Sequence, residues 1–96
     1  MRVRWLRQAL GNLADTVEYI AKDNPSAAGE TAARIVGKVN QLARDPGVDT
    51  SRPGRVAGTR ELIITPHYIV PYRIRHGELQ VLRIFHARQR WPGRVS

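Results

Sequence analysis

The sequence predicts an α+β fold of order β-α-α-β-β-β, a helical hairpin packed on one face of a small antiparallel sheet. Three observations carry this. Helical spacing of apolar residues is confined to residues 8–44. Three β-rich runs follow between residues 60 and 86. The connections between those runs are too short for parallel crossovers, so the strands must pair antiparallel.

Each element has a local cause. Arg2–Leu6 reads as a first strand, with Val3 and Trp5 on one face. From about Gln8 to Lys22 the stripe Leu10, Leu13, Ala14, Val17, Ile20 and Ala21 predicts an amphipathic helix, supported by Glu18 and Lys22 four apart on its exposed side. Asp23-Asn24-Pro25 ends it and starts another: Asn24 can cap, and Pro25 suits a first turn that needs no amide donor. In the second helix Ala28, Ala32, Ile35, Val39 and Leu42 form one seam, closed by Asp45-Pro46-Gly47. So short a connection predicts an antiparallel helix pair. Residues 46–58 read as loop. The strands Arg60–Thr65, Tyr68–Arg75 and Glu78–His86 are separated by Pro66 and by His76-Gly77. A two-residue turn at His76-Gly77 sets Arg75 opposite Glu78, Tyr72 opposite Val81 and His67 opposite His86. Pro71 cannot donate to the ladder, so its nitrogen is expected at solvent, a bulge or an edge. Trp5, Tyr19 and Phe85 are expected in core or interface packing.

Composition narrows the function. The 96 residues make one domain, 1–96, with a thin core. The absence of cysteine excludes disulfides and thiolate metal sites, and the three histidines lack the company of a conventional metal site. No cofactor is expected. No long apolar run suggests a signal peptide or membrane span, and a cytoplasmic location is expected. The glycines near Gly54 and Gly58 lack the strand–loop–helix context of a phosphate loop. Charge is uneven: residues 1–50 carry seven basic and six acidic side chains, residues 51–96 nine basic, all arginine, and two acidic. The second half is therefore expected to meet an anionic partner: RNA, DNA or an acidic protein.

Three segments resemble the C-terminal half of the RelE/ParE toxins: Gly54-Arg-Val-Ala-Gly-Thr-Arg-Glu-Leu, Tyr68-Ile-Val-Pro-Tyr-Arg-Ile and Leu82-Arg-Ile-Phe-His-Ala-Arg-Gln-Arg-Trp-Pro. Asp23-Asn-Pro-Ser-Ala-Ala is similar to the same superfamily. The resemblance implies the toxin of a type II toxin–antitoxin pair, restrained by an acidic antitoxin that wraps it. It also implies one of two activities. RelE-type and YafQ-type toxins cut mRNA on the ribosome, whereas ParE-type toxins poison DNA gyrase without nuclease chemistry.

Matching residue by residue points to both branches. Arg88 falls where RelE has a catalytic arginine, but Ile69 replaces another essential arginine, and Glu61 and Ile63 stand where RelE has lysines. Pro66-His67-Tyr68 and His86-Ala87 resemble YafQ-type segments in which the later histidine is catalytic. Tyr72-Arg73-Ile74 and Arg83-Ile84-Phe85-His86 resemble ParE equally.

RNA cleavage without metal needs a base for the 2′-hydroxyl, cations for the phosphate and an acid for the leaving oxygen. Imidazole suits both proton roles. The expected catalytic set is His86, His67, Arg60 and Arg88, with Tyr68, Arg55, Arg90 and Trp91 holding RNA by stacking and charge. The bland alternative is two strand-end histidines at a solvated edge. For Arg73 a snorkelling side chain over the sheet is the better reading, and for Glu61 a salt bridge to a neighbour, with a general-base role as the alternative. The sequence thus favours an mRNA endonuclease with ribosome and mRNA as partners. Its alternatives are a gyrase inhibitor, or a degenerate toxin kept as an antitoxin-binding co-repressor.

Overall fold

The computed structural model describes residues 1–48 and 51–87. Strand β1 (Arg2–Trp5) leads into α1 (Arg7–Ala21) and α2 (Pro25–Arg44), then a 3₁₀ turn (Pro46–Val48). Strands β2 (Arg52–Pro53), β3 (Arg60–Ile63), β4 (Tyr68–Arg75), β5 (Glu78–Val81) and β6 (Phe85–His86) follow. The predicted order holds, with two additions: β2 arises inside the expected loop, and the last strand divides into β5 and β6. Asn24 caps α2 as expected, its side-chain oxygen accepting from the Ala27 N–H at 3.1 Å.

The sheet runs β1-β5-β4-β3-β2, with β6 pairing β4 beyond the end of β5. All pairs are antiparallel except β1 with β5, so the sheet is mixed at that one edge. The helical pair connecting β1 to the remaining strands provides the crossover that a parallel pairing requires.

One face of the sheet carries the core. Leu62, Val70, Tyr72, Leu79, Val81 and Ile84 pack against Ala9, Ile35, Val39, Leu42 and Ala43 from the helices, with Val3, Trp5 and Leu13 at the margin. The seam of α2 is as predicted. That of α1 is rotated: Ala9 is buried, whereas Leu10 is 52% exposed. Tyr19 is 72% exposed, so of the two expected placements, core or interface, the core is ruled out.

The β4–β5 hairpin has the predicted register, Tyr72 facing Val81 and Arg75 facing Glu78. Its turn places both His76 (φ 56°) and Gly77 (φ 72°) in the left-handed region, as a two-residue hairpin turn requires. Past Val81 the register slips. From the pair Tyr72–Val81 to the pair Ile69–Phe85, β4 runs back three residues while its partner advances four. Arg83 and Ile84 thus oppose Val70 together, a β-bulge. Pro71 adjoins it: its carbonyl accepts from the Leu82 N–H at 3.0 Å, so its donorless nitrogen faces the disrupted ladder. The displaced Ile84 N–H is taken up by the Asn12 side-chain oxygen of α1 at 3.1 Å. His86 therefore faces Tyr68, one residue from the predicted partner, while the Ala87 N–H reaches the His67 carbonyl at 2.7 Å.

Candidate functional site

Two clusters of polar residues stand out on the sheet. The first is built at the β3–β4 turn. The Thr65 hydroxyl accepts from the N–H groups of His67 (3.1 Å) and Tyr68 (3.2 Å), fixing a tight turn that projects His67 toward the end of β6. Although the register slipped, the imidazoles still meet: the rings of His67 and His86 stack with centroids 5.7 Å apart and planes at 25°. Tyr68 meets His86 edge-on at 5.5 Å. Rings so spaced can reach two oxygens of one phosphodiester.

Arg60 does not join them. It sits opposite Tyr72, four residues along β4 from Tyr68, a separation of about 13 Å at strand rise. Its Nε donates to Ser51 Oγ at 2.7 Å and its Nη2 to the Ser51 carbonyl at 2.8 Å. Ser51 Oγ and the Tyr72 hydroxyl share a further hydrogen bond of 2.7 Å. Arg88, Arg90 and Trp91 lie outside the described residues.

The second cluster lies on the sheet face away from the helices and centres on Glu61, which is completely buried. Arg52, its cross-strand partner, donates Nε and Nη2 to Glu61 Oε1 at 3.2 and 3.0 Å. The Arg55 N–H donates to Oε2 at 3.1 Å, and Arg55 Nε lies 3.4 Å from the same oxygen. The Arg55 guanidinium also lies 5.2 Å above the centre of the Phe85 ring, close enough for cation–π attraction. Gly54 permits this: a Cβ there would collide with Thr59, whose carbonyl accepts the Gly54 N–H at 2.8 Å. That close approach folds the loop so that Arg55 covers Glu61 and Phe85. Arg55, expected to hold RNA, is thus paired with Glu61, while its side chain remains 39% exposed. Beside it Ile63, Ile69 and Phe85 lie in register across β3, β4 and β6.

Further along this face β1, β5 and β4 set Arg2, Glu78 and Arg75 in one row and Arg4, Gln80 and Arg73 in the next. The Gln80 amide donates to Glu78 Oε1 at 2.9 Å and accepts from Arg73 Nε at 2.7 Å. Arg4 completes an ion pair with Glu78 at 3.5 Å. The Gln80 amide, followed by the charge of Arg4, holds the Glu78 carboxyl below its ordinary value of 4.5. Sequence reasoning missed these rows. Alternation within β1 turned Arg2 and Arg4 away from the core, but only the β1–β5 pairing shows what they lie beside.

Among the described residues no three His, Asp or Glu side chains gather closely enough to hold a metal ion. No helix there is long and apolar enough to cross a membrane.

Residues 3–91 match the family model of the ParE toxin of type II toxin-antitoxin system, parDE. The chain belongs to the ParE toxin family. It is 44% identical over 92 residues to the "Putative toxin Y4kP" of Sinorhizobium fredii, spanning 95% of this chain and 93% of that one. It is also 33% identical over 88 residues to "Toxin RelE2" of Caulobacter vibrioides, covering 90% and 94% of the two chains. Among solved structures, a chain of the "Chromosomal ParDE TA system from P. aeruginosa" superposes with a TM-score of 0.77 at 28% identity, over 90% of this chain and 95% of that one. The RelE/ParE resemblance read from the sequence is thereby established, and with it the role of a toxin paired with a cognate antitoxin. ParE-family membership also accounts for two helices laid on one face of the sheet.

Proposed function

We propose that the protein arrests growth as a ParE-type, non-enzymatic inhibitor of DNA gyrase. The observation carrying this reading is what occupies three of the four positions compared with the cationic catalytic groups of RelE-type toxins, Arg88 being the fourth. Ile69 is buried at 4% exposure, packed in register between Ile63 and Phe85. Glu61 is sealed beneath Arg52 and Arg55. Ile63, the third such position, belongs to the same apolar strip. A phosphate passing to a cleaving transition state needs cations aimed at it, and these positions supply a hydrophobic strip and a neutralised carboxylate instead. Arg60, the expected clamp, is engaged with Ser51 far along the strand.

A second reading, ribosome-dependent mRNA cleavage, draws support from one observation, the 5.7 Å stack of His67 and His86. There His86 would transfer the principal proton and His67 the second. Inducing the chain without its antitoxin separates the two. Gyrase inhibition predicts filamentation, DNA-damage signalling and loss of supercoiling by purified gyrase, all retained by His86→Ala and His67→Ala. Early loss of translation with mRNA ends cut on ribosomes, abolished by His86→Ala, would overturn the gyrase reading.

A further inference from the structure

The uneven charge of the sequence becomes a polarity of the fold. Residues 7–45, which include both helices, carry five basic side chains (Arg7, Lys22, Arg34, Lys38, Arg44) and five acidic ones (Asp15, Glu18, Asp23, Glu30, Asp45), a net of zero. The sheet face away from the helices holds Arg2, Arg4, Arg73, Arg75, Arg52 and Arg55 against Glu61 and Glu78. Arg52 and Arg55 are consumed by Glu61. The other four flank Glu78 and Gln80 in two rows, leaving three net positive charges on a patch about 10 Å wide, two inter-strand spacings. Arg2, Arg4 and Arg75 are exposed, and among the described residues neither Arg2 nor Arg75 has a side-chain hydrogen bond or ion pair. Their planar donor sets stand ready for an anion.

We propose that this four-arginine face binds the phosphate backbone of duplex DNA without sequence preference. The patch itself selects that partner. Its two rows contain no apolar side chain, so a protein partner would find no hydrophobic centre to bury, whereas a phosphate backbone asks only for cations and donors. It has no aromatic ring on which an unpaired base could stack, which disfavours single strands. It has no exposed hydroxyl or amide to read a 2′-hydroxyl, since Gln80 is buried and occupied by Glu78 and Arg73, which disfavours RNA. This property is independent of the target the toxin poisons. It gives the chain its own hold on DNA, in addition to whatever its antitoxin contributes.

The test is fluorescence anisotropy of a labelled random-sequence DNA duplex with the purified full chain across a salt series. Four neutralised phosphates give a slope of log K against log salt near −3.6. The variant R2Q/R4Q/R73Q/R75Q should lose binding more than tenfold at 100 mM salt and flatten the slope by about 3.6. Because Arg4 and Arg73 also bond Glu78 and Gln80, the pair R2Q/R75Q is measured beside it; it breaks no internal bond and should flatten the slope by about 1.8. The helix variant R7Q/R34Q/K38Q/R44Q removes equal charge and should change affinity less than twofold. Equal losses in the helix and sheet variants would overturn the proposal, as would a sheet variant that binds like wild type. A tenfold preference for duplex RNA, or displacement by polyglutamate at matched charge, would overturn it in favour of RNA or an acidic protein.

Discussion

Glu61 offers the sharpest test of how the loop over the sheet is held. Replacing it by Gln keeps the shape but leaves one acceptor oxygen where two serve now. Arg52 donates twice to one oxygen and the Arg55 N–H once to the other, so the new amide must set its own N–H₂ against a donor. Hydrogen bonds to charged groups are each worth about 1.5–3 kcal/mol. The arginine side chains are 52% and 39% exposed and can turn to water, which returns part of that loss. A net cost of about 2 kcal/mol follows, a fall of roughly 10 °C in Tm for a domain of this size. Thermal and urea unfolding of wild type, E61Q, R52Q and the double variant form a cycle that isolates the pair. The coupling should be about 1 kcal/mol. A Glu61→Gln chain within 0.5 kcal/mol of wild type, with no coupling to Arg52, would refute the cradle.

Other outcomes follow from the bulge and the arginine rows. Asn12→Ala leaves the displaced Ile84 N–H without its acceptor and should cost about 1–2 kcal/mol, with faster amide exchange at Ile84; Asn12→Asp, which can still accept, should restore protection. Because Glu78 titrates below 4.5 in the folded state, its stabilising contribution is complete above that value and disappears as pH falls through the lowered one. Gln80→Met should move the Glu78 titration, followed by NMR, back toward 4.5 and shrink the acid loss; a titration that does not move would show that the Gln80 amide is not its main cause.

How much of this was legible in the sequence depends on the range of the interaction involved. Asn24-Pro25 and His76-Gly77 act within a few residues, and the α2 start and the β4–β5 register follow from them directly. The slip beyond Val81 does not. Pro71 warned of a ladder defect, but its location was fixed by Asn12 of α1, 72 residues from the amide it accepts. The expected meeting of His67 and His86 survived because the Thr65 turn projects His67 toward β6 even with the register displaced. Arg60 was expected beside that pair and lies far from it, since its rank along β3 is set by the loop that returns Ser51 to it. Glu61 was read correctly as a salt-bridge residue, but its complete burial depends on Gly54 folding the loop above it. The α1 stripe was misphased by Leu10, an apolar residue that the helix presents to solvent while the small Ala9 meets the core.

The parallel placement of β1 sets the order in which the molecule can be assembled. Arg2 pairs with Glu78, 76 positions later, so the earliest strand made has no partner until most of the chain exists. The helical pair and the β4–β5 hairpin close over short distances and can form first, while β1 must bridge the longest loop in the sheet. On the ribosome, the nascent toxin therefore stays incomplete until residue 81 has emerged, and its arginine rows come into being only with that last docking.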